Sequence, residues 1–211
     1  MKDIYNKIWE LAKPYYQKGR PMDIAHIEWF MQEATRIGEV EGLDDTILLP
    51  LAILHDVGYS EITDVAKVNY YGTDIRSAHM AAGKVISTKI LHEIGYPEDK
   101  IQKIVDYVGI HDNWAFGEVD LYTKDSVLGT FKDLDYLWIY TKEGMDGIRP
   151  TLEKSGKIKL NDNISMLAFL QNEPSPIYGK KPFSNESTRL LHDQLLHERE
   201  MELAISGKEV K

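Results

Sequence analysis

Three observations predict an all-α fold for this 211-residue chain. Apolar residues recur at three- and four-residue intervals in nearly every segment long enough to show a period. No alternating apolar and polar run persists beyond a few residues, so no strand is expected. Glycine and proline cluster between the periodic segments, as helix stops and starts do (Gly42, Gly58, Gly95 and Pro97 are examples).

The elements follow in order. Residues 4–17 place Ile4, Ile8, Leu11 and Tyr15 on one stripe. A second helix opens near Asp23 and runs to about Val40, broken by Gly42. A third, apolar helix covers residues 46–56 and stops at Gly58, with Pro50 expected in its first turn or as a kink. Residues 59–72 read as a loop. A long helix follows from about Asp74 to Ile94, ended by Gly95 and Pro97. The next begins at Pro97-Glu98-Asp99, with acids at the positive end of its dipole, and ends near His111. Residues 112–123 read as a second loop. Residues 124–141 form a strongly apolar helix whose end is expected at Gly144, Gly147 and Pro150. Helices near 160–171 and 186–205 are separated by proline- and glycine-bearing segments at 174–176 and 179–182. The organisation expected is a helical core over residues 1–150 with a helical extension, residues 151–211, packed on it.

Composition narrows the function. Thirty-four acids against 25 basic residues give −9, with seven histidines and no cysteine. A disulfide scaffold, thiolate metal sites and a cysteine nucleophile are excluded, so any metal must be held by nitrogen and oxygen. The acidic balance, without a basic block, argues against duplex nucleic acid or an anionic membrane as partner. The first 16 residues are amphipathic and charged, not a secretory signal, and no stretch reaches the apolar length that spans a bilayer. A cytoplasmic protein is expected.

The informative residues are ionisable groups on apolar stripes, because a buried charge is costly unless paired or bound to metal. His26 shares a stripe with Phe30, Ala34 and Ile37. His55 follows Leu48, Leu51 and Ala52, His79 lies with Ile75, Ala82 and Ile86, and His111 follows Ile104 and Val108. Asp135 falls between Phe131 and Trp138 on one stripe, whereas Asp133 belongs to the face of Gly129, Tyr136 and Tyr140 and is expected outward. His55 and Asp56 are about 100° apart on a regular helix. At a helix end broken by Val57-Gly58, both can turn toward one ion. Asp112, after His111, is read as an N-cap or as a residue that orients a ligand. His92, His192 and His197 sit among charged neighbours and are assigned to the surface. Imidazoles and carboxylates on several helices, without thiolates, suit a divalent ion of Fe, Mn, Co, Ni or Zn.

This pattern resembles the HD-domain superfamily of metal-dependent phosphohydrolases. The resemblance rests on His26, on His55-Asp56-Val57-Gly58, and on the late acid of Asp133-Leu134-Asp135-Tyr136-Leu137, with matching order over residues 20–140. It implies an HD-domain-like helical bundle. It also implies one or two divalent ions, Mg included among the candidates. His26, His55, Asp56 and Asp135 would hold one ion; Asp56, His79 and His111, from the variant with two intermediate histidines, would hold the other.

The activity so implied is hydrolysis of a phosphate ester by a metal-activated water, the substrate being a nucleotide or other small phosphorylated metabolite. Asp56 would act in catalysis. Lys132 and Arg76, each one turn before a ligand, would meet phosphate oxygens, with Lys67, Lys84 and Arg20 as weaker candidates. Tyr59, Tyr70, Tyr71, Trp114 and Phe116 lie in the two loops, where they would stack on a base or cap the core. Two alternatives share the ligand set. One is a di-iron oxygenase on the HD fold, of which myo-inositol oxygenase is an example, and the other a non-catalytic helical regulatory module with structural metals. The Leu190, Leu191, Leu195 and Leu196 cluster is expected to pack within the chain.

Overall fold

The computed structural model describes residues 2–62, 73–172 and 183–206, with side chains to 203. Among them are ten α-helices, three 3₁₀ turns and no strand, so the all-α class holds. The chain divides into two compact units, Met1–Lys132 and Asp133–Lys211.

The first unit is built around one helix that is apolar on every side. That helix, α3 (Asp45–Leu54), buries every residue from Ile47 to Leu54, as a central helix must. Asp44 caps its N-terminus by accepting from the Thr46 N–H at 3.0 Å. Pro50 sits in its second turn and has no N–H to give the Thr46 carbonyl. The Tyr96 hydroxyl donates to that carbonyl instead, at 2.8 Å. Around α3 pack α1 (Asp3–Gly19), α2 (Asp23–Glu41) and α5 (Glu98–Val108). α1 buries Tyr5, Ile8, Trp9, Ala12 and Tyr16 on one face, and the Tyr16 hydroxyl donates to the Ile53 carbonyl at the end of α3 at 2.8 Å. α2 buries His26, Ile27, Phe30, Met31, Ala34 and Ile37, and ends at Gly42, whose left-handed φ of 65° closes the last turn.

Two glycines fix how the chain leaves α3. The 3₁₀ turn Val57–Glu61 runs between α1 and α4 (Thr73–Glu93). A Cβ on Gly58 would lie 1.9 Å from the His79 carbonyl oxygen, and one on Gly19 would lie 2.6 Å from the Ser60 nitrogen. Gly58 therefore does more than stop a helix. Its missing side chain lets the backbone after Asp56 touch α4 at His79.

The second loop is more ordered than its sequence suggests. It holds a 3₁₀ turn (Asn113–Phe116) and a short helix, α6 (Asp120–Lys124). Tyr122, on α6, is buried; its hydroxyl lies 2.7 and 2.9 Å from the carbonyls of Ile110 and His111 and accepts from the Trp114 N–H at 3.2 Å. Helix α7 (Ser126–Leu137) starts where Asp125 accepts from the Leu128 N–H at 2.9 Å, and the division between units falls inside it.

In the second unit the 3₁₀ turn Trp138–Tyr140 leads into α8 (Lys142–Lys154), α9 (Asn163–Asn172) and α10 (Glu186–Ser206). α9 packs on α10, and α8 on the 3₁₀ turn. The sequence reading ended a helix at Gly144, Gly147 and Pro150; α8 instead runs through all three. Thr141 restarts it by accepting from the Gly144 N–H at 3.0 Å. Gly144 is small because a Cβ there would lie 1.9 Å from the Trp138 carbonyl oxygen. Asp133, expected outward, is buried. It accepts from the Ser184 N–H at 2.7 Å, the Ser184 hydroxyl at 2.5 Å and the Thr188 hydroxyl at 2.7 Å, at the start of α10. His192, assigned to a solvated face, packs between the rings of Tyr140 and Phe183, with centroids 4.8 and 4.9 Å away. Leu191 and Leu195 are buried, while Leu190 is exposed. No described helix is long and apolar enough to cross a membrane.

Candidate metal centre

Helix ends bring the predicted ligands of the first unit together. His26 lies in the first turn of α2, His55 at the C-cap of α3, Asp56 at the start of the 3₁₀ turn, His79 in α4 and His111 just after α5. All five are buried. Their imidazoles form a row, His26 to His55 to His111 to His79, with successive ring centroids 5.5, 5.3 and 5.0 Å apart. Phe30 and Phe131 close over His55 at 5.6 and 5.1 Å, walling it with apolar surface.

Asp56, His79 and His111 form the tightest group. The Nε2 atoms of His79 and His111 are 3.1 Å apart, and both face Asp56 Oδ1, at 3.4 and 3.3 Å. Nδ1 of His55, His79 and His111 lies 3.0, 3.1 and 2.8 Å from the carbonyls of Ala52, Ile75 and Val108. That contact keeps a proton on Nδ1 and turns Nε2 inward, the orientation metal-ligating histidines need. Two imidazoles bound to one ion at about 2.0–2.1 Å have donor atoms roughly 3.0–3.4 Å apart. The observed triangle has that size, so these three residues can hold a metal ion.

The electrostatics say that the cluster wants a cation. Burial raises the Asp56 carboxyl's pKa, but the His55 charge and hydrogen bonds from His111 and His79 outweigh it and hold the group well below the usual carboxylate range. Burial likewise lowers His111, yet its hydrogen bond to Asp56 and the charges of Asp112 and Asp56 outweigh that and raise it to about 9. Without metal, then, a proton on His111 occupies the centre. Two neutral imidazoles 3.1 Å apart would set lone pair against lone pair. A proton or a metal ion relieves that opposition, and only one of them needs to be present.

Cations and rings surround this group. Arg20 approaches the other Asp56 oxygen at 3.8 Å, pairs with Asp23 at 2.9 Å and lies over the Tyr59 ring at 4.4 Å. Tyr59 stacks on His79, 4.2 Å between centroids and 8° from parallel. Arg76 and Lys132, which a helical-surface reading would leave in solvent, are 8% and 3% exposed. Arg76 pairs with Asp112 at 2.5 Å, and Asp112 Oδ2 is 3.9 Å from His79 Nε2. The Trp114 indole donates to Asp112 Oδ1 at 3.1 Å. Asp112 thus stands at the N-cap position of the 3₁₀ turn without capping it through its side chain, which instead ties a guanidinium and an indole to the edge of the cluster.

Asp135 is half-buried on the part of α7 that belongs to the second unit. Lys84 is half-buried and paired with Asp106 at 3.3 Å. Phe116 is exposed. Lys67, Tyr70 and Tyr71 lie outside the described residues. Sequence reasoning missed Tyr122, which it left in a loop, and Asp23, the partner of Arg20. Asp120, which opens α6, was a signal for the first. An open groove of about 500 Å³ among Lys2, Tyr5, Glu39, Gly42, Asp45 and Leu49 holds none of these residues, so donor chemistry locates the centre where cavity size does not. Compared with protein-family models, curated proteins and solved structures, the chain matches none.

Proposed function

We propose that this protein is a metal-dependent hydrolase of a phosphate ester, with the Asp56–His79–His111 centre as its metal site. One observation carries the proposal: three buried donors, a carboxylate and two imidazoles, converge at 3.1–3.4 Å with their backbone-bound Nδ1 atoms turned away. A divalent ion bound there supplies Lewis acidity and makes a water acidic enough to attack near neutral pH. The chain's own residues do the rest. Asp56, held ionised, contributes the negative charge that draws the ion in. Its second oxygen faces Arg20 and His55, at 3.8 and 3.6 Å, which keeps the carboxylate oriented. Arg76 and Lys132 offer positive charge to phosphoryl oxygens, and the Phe30 and Phe131 walls keep bulk water from the imidazoles.

The HD-domain resemblance supports the same reading and implies a further ion, with His26, His55 and Asp56 among its ligands. Metal analysis of saturated protein tests that part: two ions per chain, falling to one in His26→Ala, supports it, and one ion per chain overturns it. For the activity, phosphate release is followed over nucleotides, sugar phosphates and dinucleotides with Mn, Co, Mg, Zn, Ni or Fe added. Metal-stimulated release that disappears in Asp56→Ala, with helical circular dichroism retained, is the expected result. Undiminished release in that variant overturns the assignment. Oxygen uptake by the iron-loaded protein without phosphate release would place it with the oxygenases instead.

A further inference from the structure

We propose that Tyr16 and Tyr122 are positioning residues of the metal centre, each phenol holding one His-Asp dipeptide in the turn that aims its ligands inward. The proposal rests on the metal-centre reading above and extends it from the ligands to what sets them. His55-Asp56 and His111-Asp112 follow the same local course. Each comes after the second helix of a hairpin, α2–α3 or α4–α5, whose connection carries a glycine at φ 65° or 66°. In each, the histidine Nδ1 lies against the carbonyl three residues back, Ala52 at 3.0 Å or Val108 at 2.8 Å. The aspartate then takes φ −103° with ψ 5° or 9°, between the helical and extended regions. Its carbonyl accepts from the amide three residues on, Tyr59 at 3.1 Å or Ala115 at 3.0 Å, and a 3₁₀ turn follows both.

A phenol from another segment meets each dipeptide. Tyr16, on α1, donates to the Ile53 carbonyl at 2.8 Å, and the Asp56 backbone N–H acts on its oxygen as a donor. Tyr122, on α6, lies 2.7 and 2.9 Å from the Ile110 and His111 carbonyls and accepts from the Trp114 N–H at 3.2 Å. Each hydroxyl thus bridges backbone across its dipeptide, donating on the earlier side and accepting on the later. Both tyrosines are 1% exposed. A phenylalanine would fill the same space with no polar atom to bury, so packing gives no reason for the hydroxyls and these bonds do. The last carbonyls of a helix have no partner within it, and a chain leaving there can pivot. Holding them from outside fixes the direction in which the next imidazole and carboxylate leave the backbone. Metal ligands need placement to within about 0.5 Å, and losing the groups that supply it weakens binding. α1 and α6 carry no ligand of the centre, and through these phenols each acts on it.

Tyr96 supplies the control. Its hydroxyl donates to an α3 carbonyl at the same 2.8 Å, but at the opposite end of the helix, at Thr46. Tyr16→Phe, Tyr122→Phe and Tyr96→Phe are made in the full chain, and Mn(II) and Co(II) affinities are titrated beside metal-free melting temperatures. All three are expected to melt below wild type. Tyr16→Phe and Tyr122→Phe are expected to bind metal about tenfold more weakly, with a shifted Co(II) absorption band, and Tyr96→Phe within about twofold of wild type. Wild-type affinity and an unshifted band in either site variant would overturn the role of that tyrosine, however low the variant melts. An equal loss of affinity in Tyr96→Phe would overturn both, leaving the phenols to stability alone. Should Tyr16→Phe fail to fold, Tyr122→Phe reads the same property at the other dipeptide. The centre and its positioning fail differently. If wild type takes up no metal, the metal-centre reading falls, and positioning is read from the imidazole Nδ1 proton signals of the metal-free protein. Signals kept in Tyr96→Phe and lost in the two site variants support it; signals kept in all three overturn it.

Discussion

Asp56 and Asp133 are both buried acids, one opening a 3₁₀ turn in the first unit and one within α7 in the second, and their surroundings differ in kind. Asp133 accepts from a backbone N–H and two hydroxyls at 2.5–2.7 Å, all neutral donors at full hydrogen-bond contact. Asp56 faces ring nitrogens at 3.3, 3.4 and 3.6 Å and a guanidinium at 3.8 Å. The first carboxylate ties α10 to α7 within its unit. The second is ringed by imidazoles and a guanidinium at longer range, which hold it ionised. Burial alone does not separate a structural acid from a metal ligand; the kind and distance of the partners do.

The largest effect comes from moving Asp56 without touching either acid. Gly58→Ala is expected to cost about 3 kcal/mol or more, because the new methyl meets the His79 backbone, which has nowhere to go. Urea denaturation measures this, and the variant should also lose metal uptake. Its counterpart in the second unit, Gly147→Ala in α8, meets nothing within 4 Å and is expected to gain up to about 1 kcal/mol. A similar cost at both positions would remove the contrast.

Next come the acids themselves. Asp133→Asn is expected to lose about 2–3 kcal/mol, with metal-induced stabilisation retained. Asp56→Asn is expected to lose the metal-induced stabilisation itself, about 2.7 kcal/mol when metal stands at a hundred times its Kd. Thermal melts with and without metal distinguish the two, and a metal-responsive Asp56→Asn protein would break the distinction.

A smaller effect is a pH dependence confined to the first site. His111 is raised from 6.5 to about 9, so its contribution to metal-free stability is complete below 6.5 and is lost as pH rises through about 9. Metal must displace that proton, so its apparent affinity should rise up to tenfold per pH unit until about 9 and then level off. Metal titrations between pH 6 and 10 check both statements. A flat affinity profile would mean that His111 is not a ligand.

Much of the centre was legible because its ligands are ionisable residues on apolar helix stripes, and periodicity reveals that mismatch. His79 and His111 stood out in this way, and Gly58 as a break after His55-Asp56. The all-α class was legible for the same reason. What stayed hidden depends on distances across the chain. Arg20 and Asp56 are 36 residues apart, and Arg76 and Asp112 likewise. No helical period encodes either pair. Asp133 was misread because its burying partners, Ser184 and Thr188, lie about 50 residues downstream. Gly144 and Pro150 were misread as stops because Thr141 caps a new helix ahead of them and the burial of Met145 and Leu152 on that helix overrides local propensity.

The hydroxyl of Tyr96 stands in for a hydrogen bond that Pro50 cannot make, and this makes two distant positions energetically dependent. Tyr96→Phe alone should cost about 1 kcal/mol by stranding the Thr46 carbonyl. In a Pro50→Ala background the restored amide can take that carbonyl, and the same substitution should become nearly silent. Tolerance at position 96 is therefore conditional on position 50. Sequences drifting from this one should lose the proline before they lose the phenol, because the opposite order passes through the weakened intermediate.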